Sequence, residues 1–266
     1  MFKFFQLLFL TITIFSFSGC EAVKKTTGNL NLFSIEKDKE LGLQVSKEIE
    51  SNAAQYPILP EQGNERLYQY IRKITNNILN SGKVKYKDEF AWEVKIINDS
   101  KTLNAFATPG GYIYVYTGLI KYLDSEDHLA GVMGHEIAHA DLRHSTRQLT
   151  KMTGVTVLTE AALGKTGAVK DIAAALVNLK FSRTHESEAD AESVTYLCGT
   201  TYHADGAAGF FEKIEAEGGS RTPEFMSTHP SPANRVTNIK KRKQEMGCKG
   251  THSNKTEYAR MKQLIP

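Results

Sequence analysis

Two histidines four residues apart, His135 and His139, enclose Glu136 in the run His135-Glu136-Ile137-Ala138-His139. On a helix, positions i and i+4 share one face, so both imidazoles can reach a single metal ion. This is the spacing of a catalytic zinc site. The glutamate sits slightly off the shared face, placed to take a proton from a water held by the metal. Such a site needs a third protein ligand and keeps its fourth position for water. A continuation of the form HExxHxxGxxH fails, because the chain has Leu142 and Ser145, with His144 one residue off. A later ExxxD helix beginning at Glu160 fails as well, since the residue four further on is Gly164. The segment Arg183-Thr184-His185-Glu186-Ser187-Glu188-Ala189-Asp190 offers two carboxylates instead. The helical face of Glu186 runs through Ala189, Asp190, Val194 and Leu197 and is largely apolar, so it points inward. The face of Glu188 runs through Ala191, Glu192 and Thr195, and Glu188 and Glu192 read as ordinary charged surface. Glu186 is therefore the expected ligand. Asp190, one turn along, can accept the free ring N–H of a zinc histidine and so fix its tautomer.

These side chains need a frame. Asp124 and Ser125 are N-cap candidates for the helix carrying His135, and Glu126 and Asp127 suit its first turn. Val132, Ala138 and Leu142 share the histidines' face and turn it inward. Helices are expected over 36–54 and 63–81, where Leu41, Val45 and Ile49, then Leu67, Ile71, Ile74 and Ile78, recur at helical spacing. Residues 92–97 read as a strand. Two further strand-like runs, 104–108 and 112–117, are joined by the turn signal Pro109-Gly110-Gly111. An exposed edge at Asn104, Ala105, Phe106 and Ala107 would bind an extended peptide by strand addition, with an ordinary core hairpin as the alternative. The stretch 150–181, with Gly154, Gly164 and Gly167, should break into short helices, as a lid or, preferably, a core hairpin. Lys165 and Lys170 interrupt it too much for a membrane span. Gly199 suits the end of the Glu186 helix, and 206–217 has amphipathic helical spacing.

The pair HEIAH and RTHESEAD resembles the HExxH…ExxxD pattern of the gluzincin peptidases of the CAAX prenyl protease superfamily, most of all the bacterial HtpX and BepA/LoiP type. Residues 104–119 resemble that family's hairpin before the metal helix, and Ser227 to Arg235 resembles its THPSP…R segment. The likeness covers about residues 35 to 247, with four motifs in order. It implies His135, His139 and Glu186 as ligands of one zinc ion per chain, Glu136 as base, and Asp190 behind a ligand. It also implies an α+β fold, mostly helical, with a small sheet beside the HExxH helix, and a metalloendopeptidase acting on unfolded or misassembled proteins. By bringing their segment near the cleft, it makes His229 and Arg235 candidates to stabilise an oxyanion. His229 has two alternatives, a zinc ligand in a resting state or a purely structural His-Pro turn.

The amino terminus suggests where this chemistry takes place. Met1-Phe2-Lys3, an apolar run to Phe17, and Ser18-Gly19-Cys20 form the outline of a secretory signal peptide. The ending resembles a bacterial lipobox. The expected organisation is a lipoprotein signal peptide at 1–19, lipidated Cys20 with a tether at 20–34, a zinc metallopeptidase domain at 35–248, and a polar, weakly ordered tail at 249–266. Glu21 lacks the aspartate that commonly retains lipoproteins at the inner membrane, which favours the periplasmic face of the outer membrane. There an oxidising environment would allow Cys198 and Cys248 to pair, with two free thiols as the alternative. The formal charge of +3 is scattered, and the one basic run, Lys240-Lys241-Arg242-Lys243, reads as a solvated helix face. No nucleic-acid motif accompanies it, so nucleic acid is not an expected partner. The envelope location leaves assembly machinery as a candidate partner. A chaperone-like outer-membrane assembly factor, or a peptidase dedicated to one substrate, are the rival functions.

Overall fold

In the computed structural model, residues 30–152, 166–217 and 224–266 are described. The signal-peptide region, Cys20 and most of the tether lie outside these residues. Helix α1 (Ile35–Ser51) begins at Ser34, whose hydroxyl accepts a hydrogen bond from the Lys37 amide at 3.2 Å. It buries Leu41, Val45 and Ile49. Helix α2 (Glu65–Leu79) buries Leu67, Ile71, Ile74 and Ile78. Both follow the expected stripes and stop slightly earlier than the spacing predicts, at Asn52 and Asn80.

Strands β1 (Glu93–Ile97), β2 (Ala105–Thr108) and β3 (Tyr112–Tyr116) form a mixed sheet in the order β1-β3-β2. β1 runs parallel to β3, and β2 pairs antiparallel with it. The β2–β3 turn passes through Gly110 and Gly111 at φ 75° and 87°, a region glycine enters without a steric penalty. Alternation then gives the sheet two buried faces. Ile113, Val115, Ala105 and Ala107 join the main core, while Tyr112, Tyr114, Tyr116 and Phe106 pack with α1 in a second one.

After α3 (Thr117–Tyr122) comes α4 (Glu126–Asp141), the axis of the domain, in which every residue except His128 is buried. Ser125 is its N-cap residue. Gly131 allows the later helix that carries Ala207 to approach α4 closely; a Cβ there would lie 1.9 Å from the Ala207 amide nitrogen. Helix α5 covers residues 144–152. Helix α6 (Thr166–Val177) buries Ile172, Ala173, Leu176 and Val177 in the second core, against α1 and β2. The described end of the 150–181 stretch is thus a core element, and residues 153–165 lie outside the described ones. Ser182 caps α7 (Arg183–Cys198), accepting from the His185 amide at 3.2 Å, and α7 ends at Gly199. Helices α8 (Gly206–Ala216), α9 (Glu224–Thr228), α10 (Arg235–Glu245) and α11 (Lys255–Lys262) complete the described chain. The fold is α+β and mostly helical, with the small sheet packed beside α4.

Two expectations need correction. The residues after 248 are not a weakly ordered tail. Tyr258 and Met261, one turn apart on α11, are buried, and the Tyr258 hydroxyl donates to the Ile120 carbonyl at 2.8 Å. Three apolar anchors, with Ile265 the third, suffice to dock a short helix among otherwise polar residues. Nor is the edge of β2 exposed. Asn104 through Thr108 are all buried, because α4 and α6 pack over them, and Phe106 stacks on Tyr114 at 4.8 Å in the second core. Cys198 and Cys248 form a disulfide, joining the end of α7 to the segment after α10. Lys240 and Lys243 are engaged by Glu212 and Asp205, so the basic run is partly used in packing. Among the described residues no helix is long and apolar enough to cross a membrane.

Candidate metal centre

Three elements meet at one buried cluster of polar side chains. α4 supplies His135, Glu136 and His139, and α7 supplies Glu186 and Asp190. The link from α9 into α10 supplies His229 and Arg235. Asn234, in the left-handed region at φ 59°, turns the chain so that Arg235 opens α10 facing inward.

Four donor atoms converge, from His135, His139, Glu186 and His229, all within 4.8 Å of one another. His135 Nε2 lies 3.0 Å from His139 Nε2 and 3.3 Å from His229 Nδ1. Glu186 Oε1 lies 3.4 Å from His139 Nε2 and 3.2 Å from His229 Nδ1. A tetrahedron with zinc–nitrogen bonds of 2.0–2.1 Å has edges of about 3.3 Å, so the donor set has the size zinc requires. Charge agrees with size. The carboxylates of Glu136, Glu186 and Asp190 are all buried, and the single guanidinium of Arg235 pairs with Glu186 and Asp190, leaving two negative charges for a divalent cation to balance.

The rings are held by aromatic walls. Phe181 stacks on His139 at 4.0 Å and Phe225 on His229 at 4.2 Å. Behind His135, Asp190 Oδ1 approaches Nδ1 at 2.9 Å. Arg235 Nη2 donates to Glu186 Oε2 at 3.0 Å and to Asp190 Oδ1 at 2.8 Å, while its guanidinium lies over the Phe211 ring at 3.9 Å. Burial works against a charged Glu186, yet His229, His135 and His139 together hold its carboxyl far below the usual range. Burial also opposes a charged His135 ring, but Asp190 and Glu186 push it up to about 9. Glu136 shows the opposite behaviour. Burial raises its carboxyl above the usual value, and neither oxygen has a hydrogen-bond partner among the described residues, the nearest histidine nitrogen there being His229 Nε2 at 3.7 Å. A buried carboxylate without a partner is an exception among native side chains and marks a candidate functional group.

The structure therefore brings His135, Glu136, His139, Glu186, Asp190, His229 and Arg235 together. It leaves Asn104 to Ala107 buried in the sheet beside α4. Sequence reasoning missed a second set. His144, set aside because its spacing was wrong for a ligand, places Nδ1 2.9 Å from His139 Nδ1. Glu188, read as surface, accepts from His144 Nε2 at 3.1 Å and from Arg147 Nη1 at 3.0 Å. Helical periodicity could not find His144, because the helix breaks at Arg143, whose φ is 59°.

A comparison with protein families matches residues 65–243 to peptidase family M48. Among curated proteins, the mitochondrial metalloendopeptidase OMA1 of Arabidopsis thaliana is 35% identical over 144 residues, covering 53% of this chain and 29% of that one. The metalloprotease YcaL of Escherichia coli is 30% identical over 186 residues, 67% of this chain and 69% of its own. The beta-barrel assembly-enhancing protease of Escherichia coli is 30% identical over 167 residues, 57% of this chain and 34% of its own. The chain spans only 29% of the plant OMA1 and 62% of the OMA1 of Schizosaccharomyces pombe. With the match covering most of the chain and the donor set buried at its centre, the protein belongs to peptidase family M48, the zinc-dependent metallopeptidases.

Proposed function

We propose that the chain is a metalloendopeptidase of the HExxH…ExxxD kind that hydrolyses misfolded or unassembled proteins of a bacterial envelope. The observation that carries this reading is Glu136, a buried carboxylate with no hydrogen-bond partner among the described residues, beside a donor set of zinc dimensions. His135, His139 and Glu186 are the ligands. Zinc bound there supplies a Lewis acid that polarises a carbonyl and acidifies water. Glu136 accepts the proton of the attacking water and delivers it to the leaving amine, and burial raises its carboxyl above the usual carboxylate value, in the direction a group that must also give the proton back requires. Asp190 orients His135 through Nδ1, and Arg235 locks Asp190 to Glu186. The remaining nitrogens of Arg235, Nη1 and Nε, have no partner among the described residues and are the donors nearest to hand for a developing oxyanion.

His229 is the fourth ligand of a resting state. Its Nδ1 is the fourth donor of the converging set, and all four donor residues are at most 1% exposed, so substrate would gain entry only once the 224–235 segment moved. This favours a latent enzyme. A protein that binds assembly intermediates and rarely cuts them would keep the same closed site, and the beta-barrel assembly-enhancing proteases among the relatives carry both roles in their name.

Location follows from residues outside the described part. The signal-like run to Phe17 and the lipobox-like ending at Cys20 support a lipid anchor, a tether to residue 34, and a catalytic domain on the periplasmic face of the outer membrane. The domain extends through α11 to the end of the described chain. The test is cleavage of casein by zinc-loaded protein beside Glu136→Gln. Loss of cleavage in the variant supports the peptidase, equal cleavage removes Glu136 from the mechanism, and capture of substrate by both without cleavage favours the binding role.

A further inference from the structure

The two ligand histidines of α4 are backed differently. Behind His135 stands a carboxylate, Asp190, at 2.9 Å. Behind His139 stands another imidazole. His144 is fully buried, and its Nδ1 faces Nδ1 of His139 at 2.9 Å. Two ring nitrogens at that distance share one proton, and the donor set decides which of them carries it. His139 Nε2 is the nitrogen turned towards His135 Nε2 and Glu186 Oε1, at 3.0 Å and 3.4 Å. A ligand nitrogen must be free of its proton, so the His139 proton resides on Nδ1. His144 Nδ1 is then an acceptor, its own proton lies on Nε2, and that N–H points at Glu188 Oε2, 3.1 Å away. Arg147 Nη1, 3.0 Å from the same oxygen, holds Glu188 in place. Stacking of His144 on His185, with ring centres 4.5 Å apart and planes 14° from parallel, fixes the middle of the chain.

We propose that His144 and Glu188 are positioning residues for His139, forming a relay that fixes its tautomer and ring orientation from outside the metal centre. The relay rests on His139 being a ligand. It has a physical reason to exist. The centre already buries three carboxylates, and a fourth beside His139 would add uncompensated charge in a dry interior. A neutral imidazole passes the acceptor function outward to Glu188, whose side chain is 37% exposed and paired with Arg147.

The test compares full-chain wild type with His144→Phe, His144→Asn and Glu188→Gln, reading zinc affinity by chelator competition and the His139 Nδ1–H resonance by NMR of the zinc-loaded protein. The relay predicts that His144→Phe weakens zinc binding about 10- to 100-fold and abolishes that resonance. His144→Asn keeps an acceptor near Nδ1 and should recover most of the affinity. Glu188→Gln should weaken binding by a smaller factor in the same direction. Wild-type affinity in folded His144→Phe overturns the relay while leaving the ligand assignment intact. Should that variant not fold, wild-type affinity and resonance in Glu188→Gln overturn it instead. A His139→Ala protein that still binds zinc as tightly as wild type overturns the ligand assignment and the relay together, so the two failures are distinct.

Discussion

Past the buried Glu126 and Asp127 of its first turn, the first half of α4 is fixed by close contact, and the second half by its buried polar groups. From Glu126 to Gly134 the helix lies so close to α7 and α8 that a Cβ at Gly131 would meet the Ala207 amide nitrogen, and Ser193 Oγ donates to the Gly131 carbonyl at 2.9 Å. From His135 to Asp141 it carries buried polar groups, each with an assigned partner except Glu136. Even the last residue is clamped: the Asp141 carboxylate accepts from the Lys85 and Tyr86 amides at 3.0 and 2.7 Å and from the Tyr196 hydroxyl at 2.8 Å. The close-packed half sets the helix in place, so the polar half can hold groups that would otherwise rearrange to find partners. Position and chemistry are separable along one helix, and substitutions in the two halves should fail in different ways.

Glu136→Gln provides the largest contrast. Turnover should fall by about 10²- to 10⁴-fold, the contribution of a positioned general base, while the thermal midpoint stays the same or rises. The rise is expected because the substitution removes a buried carboxylate that has no partner. A fall in both activity and midpoint would show that Glu136 also holds the fold. Gly131→Ala should do the reverse. It should cost about 4 kcal/mol in denaturant unfolding, above the roughly 1–3 usual for overpacking, because the neighbouring atom is backbone and cannot swing aside. An unchanged unfolding midpoint would mean that α8 is not fixed against α4 as described.

Smaller effects come from the partner helix. Replacing Cys198 and Cys248 with serine frees the end of α7 and opens a 50-residue loop, which should cost about 2–4 kcal/mol without changing zinc affinity. Coupled loss of zinc would show that the far end of α7 is felt at Glu186. Ser193→Ala, which leaves the Gly131 carbonyl without its side-chain donor, should cost about 1 kcal/mol by the same unfolding assay. A neutral result would assign the close approach to glycine alone.

The active half of α4 was the easier half to read from sequence. His135 and His139 are one helical turn apart, and Glu186 and Asp190 share an inward face of α7, so local periodicity is enough to find all four. His144 and Glu188 escaped for a tertiary reason. The left-handed residue Arg143 turns α5 back under His139, so His144 approaches His139 from outside the helix that periodicity describes. The buried edge of β2 is of the same kind, since its own residues give no hint that α6 will cover it. In α11, Tyr258 and Met261 were visible as apolar residues, but the 249–266 segment is polar enough that only the finished core shows where they dock.

The central claim is that one zinc ion is held by α4 and α7 together. Metal content of the purified full chain, set beside Glu186→Ala and His139→Ala, tests it most directly. One zinc per chain in the wild type, and little or none in either variant after dialysis at a zinc concentration that saturates wild type, is the predicted result. Full zinc content in both variants would contradict it and place the metal elsewhere.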